Sequence, residues 1–399
     1  MNRGHSGANL PALRSHNAAL VLDLLRTAGA AGISRLELAE STGLTPQAVS
    51  KITARLREAG LAAEAGQRAS TGGKPRTVLR LVRGARGAVG LHLDRDELTA
   101  VLTDLTGEPL AVRTVPFDFG ADAAAVVDGA AAEVRALLQG TGVGPVPGVG
   151  PVLGVGVACP GPLDHRTGVL GRVTGFPQWD GYPLRAALAE RLGLPVVLDK
   201  DTNAAALGLA LAAAPHSDPG SAAPSFAYVH LGTGLGAGLV LGGGLHRGSR
   251  TGAGEFGHQV IQLDGPRCGC GDHGCIEALC LAAVARGDTP AAARALGTGA
   301  ANLVGLLDID RVLLGGRTVV AAPEVFVTGV GAVLAERAAR EGAAGRAGRP
   351  VPVAVAPAGE HTVVHGAAQL VLAPLFGHAA ARPGPAETLT TPSDQEIVG

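Results

Sequence analysis

Four of the five cysteines fall within thirteen residues: Cys268, Cys270, Cys275 and Cys280. His258 lies ten residues before the first of them. The run Cys268-Gly269-Cys270-Gly271-Asp272-His273-Gly274-Cys275 therefore brings three thiols and an imidazole close together in the chain. Three thiolates and one imidazole are a donor set that tetrahedral zinc takes in closed, structural sites. The glycines allow so short a loop to turn back and face its sulfurs to one ion. The expected metal ligands are His258, Cys268, Cys270 and Cys275, with His273 and Cys280 open as replacements for one of them. A secreted disulfide framework would spread its cysteines more widely, so the clustering points to a cytosolic metal site. Cys159 stands alone and reads as a small core residue.

A second kind of chemistry is written in the charge distribution. Residues 1–83 hold 12 Lys and Arg against 5 Asp and Glu, a net charge of +7, and the remainder carries −8. A basic head on an acidic body suits contact of the head alone with a polyanion. The head reads as three short helices. Leu20, Val21, Leu24 and Leu25 line one face of 16–28. Ser34-Arg35-Leu36-Glu37 is a capping box opening a second helix. Thr45-Pro46 offers an N-cap and a first-turn proline for a third, which runs to about Ala59 and buries Ala48, Val49, Ile52 and Leu56. Two β-like runs follow, Leu61–Ala65 and Thr77–Val82, around a turn-rich stretch. This is a winged helix-turn-helix pattern, in which the third helix enters the major groove. Gln47, Ser50, Lys51 and Arg55 lie off its apolar face and are the expected base-reading residues. Lys74 and Arg76, in Gly72-Gly73-Lys74-Pro75-Arg76, are the expected wing contacts to phosphate or the minor groove.

Behind the head, the elements alternate. Ala88–Leu93, Leu98–Asp104 and Pro109–Pro116 read as a three-strand meander, followed by a helix at Asp122–Leu138 and a strand at Leu153–Ala158. Phe226–Leu231, Gly236–Leu241 and Gly244–Gly248 repeat the meander, which suggests a duplicated α/β architecture. Hydrophobic residues make up 46% of the chain but aromatics only 3%, so Ala, Val and Leu must build the core. No apolar run has membrane-spanning quality, because the long uncharged stretch Gly140–Leu163 is rich in Gly and Pro. Met1–Leu10 lacks the apolar core of a secretory signal. A cytoplasmic protein is expected. The segment from Arg382 has little to bury and reads as a disordered tail.

Several of these motifs together resemble the ROK family of repressors and sugar kinases. Gly257-His258 followed by the cysteine run ending at Glu277 is similar to its signature. Cys159-Pro160-Gly161-Pro162-Leu163-Asp164 resembles the family's Pro-Gly-Pro turn. Asp199-Lys200-Asp201-Thr202-Asn203-Ala204-Ala205 resembles its Glu-Asn-Asp-Ala-Asn-Ala-Ala segment, and Gly232-Thr233-Gly234-Leu235-Gly236 its second phosphate loop. Leu313-Leu314-Gly315-Gly316 resembles its late nucleotide-side turn. The resemblance covers roughly 80–377. It implies an actin-like, sugar-kinase fold of two RNase H-like lobes around a cleft, behind a winged helix-turn-helix. The expected division is 1–85 for the head, 86–377 for the two-lobed domain and 378–399 for the tail. The resemblance also implies that Asp201 takes the catalytic-base position, while Glu255, His258 and Glu277 hold sugar hydroxyls. Carboxylates accept from a polyol's O–H groups, and a zinc-held imidazole is fixed in orientation. Lys200 departs from the pattern, standing where the family has a sugar-binding Asn.

The first phosphate loop is also missing. The family's Asp-x-Gly-Gly-Thr is replaced by His92-Leu93-Asp94-Arg95-Asp96, where side chains fill the space for phosphate and two carboxylates repel it. Phosphoryl transfer depends on positioning and charge neutralisation, so no kinase activity is expected. The expected function is a sugar-responsive DNA-binding regulator of transcription, a repressor. Its expected partners are operator DNA and a sugar or sugar phosphate. The expected assembly is a homodimer or homotetramer reading a two-fold symmetric site. The alternative is an ATP-dependent sugar kinase with an accessory head. A further alternative is a zinc-stabilised DNA-binding protein with a vestigial cleft.

Overall fold

The computed structural model describes residues 10–68, 76–140, 149–213, 223–341 and 349–378. The chain opens with helix α1 (Leu10–Thr27), the short strand β1 (Ile33–Ser34), helices α2 (Arg35–Thr42) and α3 (Pro46–Glu58), and strands β2 (Ala62–Arg68) and β3 (Arg76–Leu81). The local signals act as expected. The Ser34 side chain accepts from the Glu37 N–H while the Glu37 carboxylate accepts from the Ser34 N–H, closing the capping box. Thr45 caps α3 by accepting from the Ala48 N–H, with Pro46 in the first turn. Strand β1, too short to carry a sequence signal, pairs antiparallel with β3, so the sheet order is β1-β3-β2.

The body contains two five-stranded sheets of the same design. The first is built from β4 (Gly87–Leu93), β5 (Glu97–Asp104), β6 (Pro109–Pro116), helix α4 (Ala123–Gln139) and β7 (Val152–Cys159). It continues through the small hairpin β8 (Leu163–Asp164) and β9 (Val169–Leu170), helix α5 (Leu184–Leu192) and β10 (Val196–Lys200). After α6 (Asp201–Ala213), the second lobe contains β11 (Phe226–Leu231), β12 (Leu235–Leu241), β13 (Gly244–His246), α7 (Ile276–Ala285) and α8 (Thr289–Leu307). It is completed by β14 (Arg311–Gly315), α9 (Arg317–Ala321), α10 (Pro323–Glu341) and β15 (Val353–Val355), after which α11 (Thr362–Leu372) returns to pack on β4 and β7 of the first lobe. The strand orders are β10-β7-β4-β5-β6 and β13-β12-β11-β14-β15. In each sheet the first three strands pair antiparallel and the last two add parallel on the other side of the first. The duplication expected from the two meanders is thus a duplication of the whole sheet.

Alternation along the strands places the layers. In β4, Val89, Leu91 and Leu93 turn toward α4 and α5. In β11, Ala227, Val229 and Leu231 turn toward α7, α8 and α10. The opposite faces enclose α11 and α6, which form the central layer between the sheets. Small residues set this spacing. A Cβ on Gly156 of β7 would drive into the Ala367 carbonyl of α11, and one on Gly366 into the Ala204 carbonyl of α6. Neither approach survives a larger residue without backbone movement.

The head shares its core with the first lobe. Val21, Leu25, Leu38, Val49, Leu56, Leu79 and Leu81 pack with Ala88 and Leu105 of the first lobe, and with Leu372 and Phe376 at the end of α11. The Arg26 guanidinium lies 5.2 Å from the centre of the Phe376 ring, and His378 Nε2 is 3.3 Å from the Asp23 carboxylate. The expected head–body division after residue 85 falls at the turn Arg83–Ala85 between β3 and β4. Apart from His378, the expected tail lies outside the described residues.

Candidate functional site

The side chains expected to ligate a metal converge. His258 ends the turn Phe256–His258, and the following loop folds back so that Val260 pairs with Cys275 and Arg267 with His273. Within it the Cys268 N–H donates to the Asp272 carbonyl at 2.7 Å, tightening the turn that carries Cys270. One donor atom from each of His258, Cys268, Cys270 and Cys275 lies within 4.8 Å of all the others. Cys268 Sγ is 3.7 Å from His258 Nδ1, and Cys270 Sγ is 3.7 Å from Cys275 Sγ. A tetrahedron with metal–sulfur bonds of about 2.3 Å has edges of about 3.8 Å, which these two separations match, so the donor set suits a tetrahedral ion. The two alternatives fall away. Cys280 is buried on α7, donating to the Ala292 carbonyl at 3.5 Å, and burial raises its thiol to about 12. His273 is not among the clustered donors.

The same loop borders a cavity of about 90 Å³ between the lobes, lined by Asp201, Glu255, His258 and Glu277, with Lys200 and Arg95. The structure therefore brings together all four residues expected to hold sugar. Asp201 opens α6 and accepts from the Thr202 N–H at 2.6 Å. Glu277 lies in the first turn of α7, two residues after the clustered donor Cys275, and accepts from the Leu235 N–H at 2.9 Å. Lys200 ends β10 in the first lobe. Its Nζ donates to the Ala253 carbonyl at 2.6 Å and to the Glu255 carboxylate at 3.0 Å, both on the second lobe. Beneath it, Arg247 pairs with Asp199 at 2.6 Å in full burial. The lysine that departs from the family pattern is thus an interlobe tie that neutralises Glu255.

A second interlobe tie forms at the turn where the family resemblance expects a first phosphate loop. The turn Asp94–Asp96 joins β4 to β5, and both of its acids reach Arg317, which follows Gly316 in the second lobe. Arg317 donates to Asp94 at 2.7 Å and to Asp96 at 2.8 Å. The Thr233 hydroxyl, from the second phosphate loop, also donates to Asp94, at 2.9 Å. Burial works to raise the Asp94 carboxyl, but His92, Arg317, the Arg95 N–H and Thr233 outweigh it and bring it to about 2. Hydrogen bonding to Asp96 and Asp94 raises Arg317 further above its usual range.

In the head, Gln47, Ser50, Lys51 and Arg55 are all exposed on α3, away from the buried Val49, Thr53 and Leu56. Arg57 is 3.2 Å from Glu64, tying α3 to β2, and the Arg35 Nε donates to Thr53 Oγ1 at 3.4 Å, tying α2 to α3. Arg76 is exposed at the start of β3. Lys74 and the rest of the expected wing, Gly72–Pro75, lie outside the described residues.

Arg317 escaped sequence reasoning. It lies more than 200 residues from its partners, and the only signal was the unbalanced pair of acids at 94 and 96. The role of Lys200 as a tie was equally hidden, because its carboxylate partner comes from the other lobe.

Comparison with known proteins agrees with this geometry. The model of the ROK family matches residues 147–286, and that of a winged helix-turn-helix DNA-binding domain matches residues 21–62. The xylose repressor of Bacillus subtilis is 28% identical over 247 residues, 61% of this chain and 61% of that protein. A glucokinase of Thermotoga maritima is 39% identical over 132 residues, 33% of this chain and 40% of that protein. The chain spans about three fifths of the length of the xylose repressors it matches. A crystal structure of a ROK family transcriptional regulator, described as a homologue of the E. coli MLC protein, superposes with a TM-score of 0.72 over 97% of this chain and 99% of that one, at 23% identity, and so shares the fold. Among the described residues no helix is long and apolar enough to cross a membrane. The chain is thus similar to ROK family proteins over residues 147–286 and to winged helix-turn-helix DNA-binding domains over residues 21–62.

Proposed function

We propose that this protein is a sugar-responsive, DNA-binding repressor of transcription acting in the cytoplasm. One observation carries the reading: an exposed basic recognition helix shares a continuous core with a two-lobed body whose cleft gathers Asp201, Glu255, His258 and Glu277. The repressor relatives support it. The sugar would lie between the lobes, with hydroxyls on Asp201, Glu255, His258 and Glu277. The Lys200 and Arg317 ties join the lobes across the cleft, so a sugar that displaces them would let the lobes shift. The head is packed on the first lobe, so such a shift moves the second lobe against it. In a homodimer or homotetramer that movement would alter the spacing of two heads. A ligand shifts this equilibrium only by its difference in affinity for the two states, about 1–3 kcal/mol between coupled sites.

Zinc is the metal the donor set favours. When bound it would be held by His258, Cys268, Cys270 and Cys275, cross-linking the loop and fixing the His258 imidazole beside the cleft. The kinase reading is disfavoured because Asp94 and Asp96 occupy the approach to the second phosphate loop and consume the charge of Arg317. Incubation with ATP, magnesium and hexoses is expected to yield no sugar phosphate. Turnover that disappears in Asp201→Asn would establish a kinase instead.

Gln47, Ser50, Lys51 and Arg55 would read bases, and Lys74 and Arg76 would contact the backbone. Binding of the full chain to its operator, followed by fluorescence anisotropy, is expected to weaken steeply with salt as counterions are released. Lys51→Ala should relax base preference, costing roughly 1–3 kcal/mol at one position of each half-site. Arg76→Ala should weaken all sequences evenly. Salt-independent binding, or none to any genomic fragment, would remove the DNA-binding assignment.

A further inference from the structure

Between Asp94 and Asp96, which pair with Arg317, lies Arg95, which lines the cleft beside Asp94. Its side chain is half-buried and lines the cleft with Asp201, Lys200 and Glu277. Its guanidinium lies 5.5 Å from the centre of the Phe176 ring and against Gly234 of the second phosphate loop. Among the described residues, no carboxylate pairs with it. The other cations at this site are spoken for: Lys200 by Glu255, Arg317 by Asp94 and Asp96. An aromatic platform holds the plane of a guanidinium while its N–H groups remain to be satisfied.

The cleft is lined by Asp94, Asp201, Glu255 and Glu277 together with Arg95 and Lys200. Asp201 and Glu277 offer acceptors to hydroxyls. Arg95 offers donors beside the Gly232–Gly236 turn, whose Leu235 N–H and Thr233 hydroxyl are held by Glu277 and Asp94, and a guanidinium fork matches phosphate or carboxylate oxygens two at a time. We propose that the effector is an anionic sugar, carrying a phosphate or carboxylate, and that Arg95 receives the anionic group while Asp201 and Glu277 hold the polyol. The proposal rests on the cleft being the effector site. It also gives the altered loop a purpose: the sequence that excludes a nucleotide's phosphates supplies one fixed cation for a single anionic group.

The test is calorimetric titration of the full chain at constant ionic strength with matched probes: glucose against glucose 6-phosphate and glucuronate, and N-acetylglucosamine against its 6-phosphate. In at least one set an anionic member is expected to bind roughly 10- to 100-fold tighter than its neutral counterpart, as a charge-assisted hydrogen bond allows. The 6-phosphates and glucuronate separate the two anion chemistries. Arg95→Gln should bring the anionic probe down to the neutral one's affinity and leave the neutral one unchanged, with Arg95→Lys recovering part of the gap. The melting temperature of the ligand-free variants should match wild type, since the side chain makes no ion pair. Neutral probes binding as tightly as anionic ones in every set, or Arg95→Gln weakening both members equally, would overturn the proposal while leaving the sensing cleft intact. Silence of every probe with wild-type protein would overturn the cleft reading, and this proposal with it.

Discussion

Replacing Cys270 by serine is expected to cut bound zinc from near one equivalent per chain to a small fraction and to lower the melting temperature by many degrees. The magnitude follows from what the loop is made of. Residues 260–275 contribute two isolated bridges and a few turn hydrogen bonds, and no strand or helix of their own. Leu263 is 86% exposed, so little apolar burial holds the loop down. The four donors are therefore its main cross-link. Structural zinc in small peptides binds with an apparent 10–16 kcal/mol, and loss of one thiolate forfeits a large share of that. The effect should spread to the cleft, because Cys275 precedes α7, which carries Glu277, and His258 belongs to both the donor cluster and the cleft. Elemental analysis of protein purified without added zinc, with calorimetric melting, checks the prediction. A variant that keeps a full equivalent would show that Cys270 is not a ligand, whereas Cys280→Ser should leave metal content unchanged.

Gly156→Val is expected to destabilise the fold by about 3 kcal/mol or more, at or above the upper end of ordinary overpacking. What a side chain there meets is the Ala367 carbonyl and backbone of α11, not the flexible tip of a neighbour. Helix α11 cannot retreat, since Gly366 on its other side lies directly on the Ala204 carbonyl of α6. Any displacement of α11 reaches the Ala373–Phe376 turn and the core it shares with α1. The variant should therefore lose operator affinity as well as stability. Gly331→Ala supplies the control: its position on α10 is open, and Ala in a helix interior gains about 0.5–1 kcal/mol over Gly. Denaturant unfolding of both variants gives the comparison. A Gly156→Val protein as stable as wild type would mean that the sheet and α11 are not in the contact described.

Local features were readable because their physics is local. The capping box at Ser34 and Glu37, the Thr45-Pro46 start of α3 and the alternation of β4 and β11 depend on neighbours one to four residues away. The cysteine spacing names a donor set whose chemistry is the same wherever the loop sits, and the two meanders announced a duplication. The tertiary structure alone decided which residues face each other across long sequence separations. It selected four donors from six candidates by bringing one atom of each within 4.8 Å. It paired Asp94 and Asp96 with Arg317, and Lys200 with Glu255, turning two departures from a family pattern into ties between lobes. It seated the head on the first lobe through Leu372 and Phe376, near the far end of the described chain. Periodicity and capping report on a residue's immediate neighbours, whereas an ion pair or a shared core is a property of the folded surface that brings distant segments together.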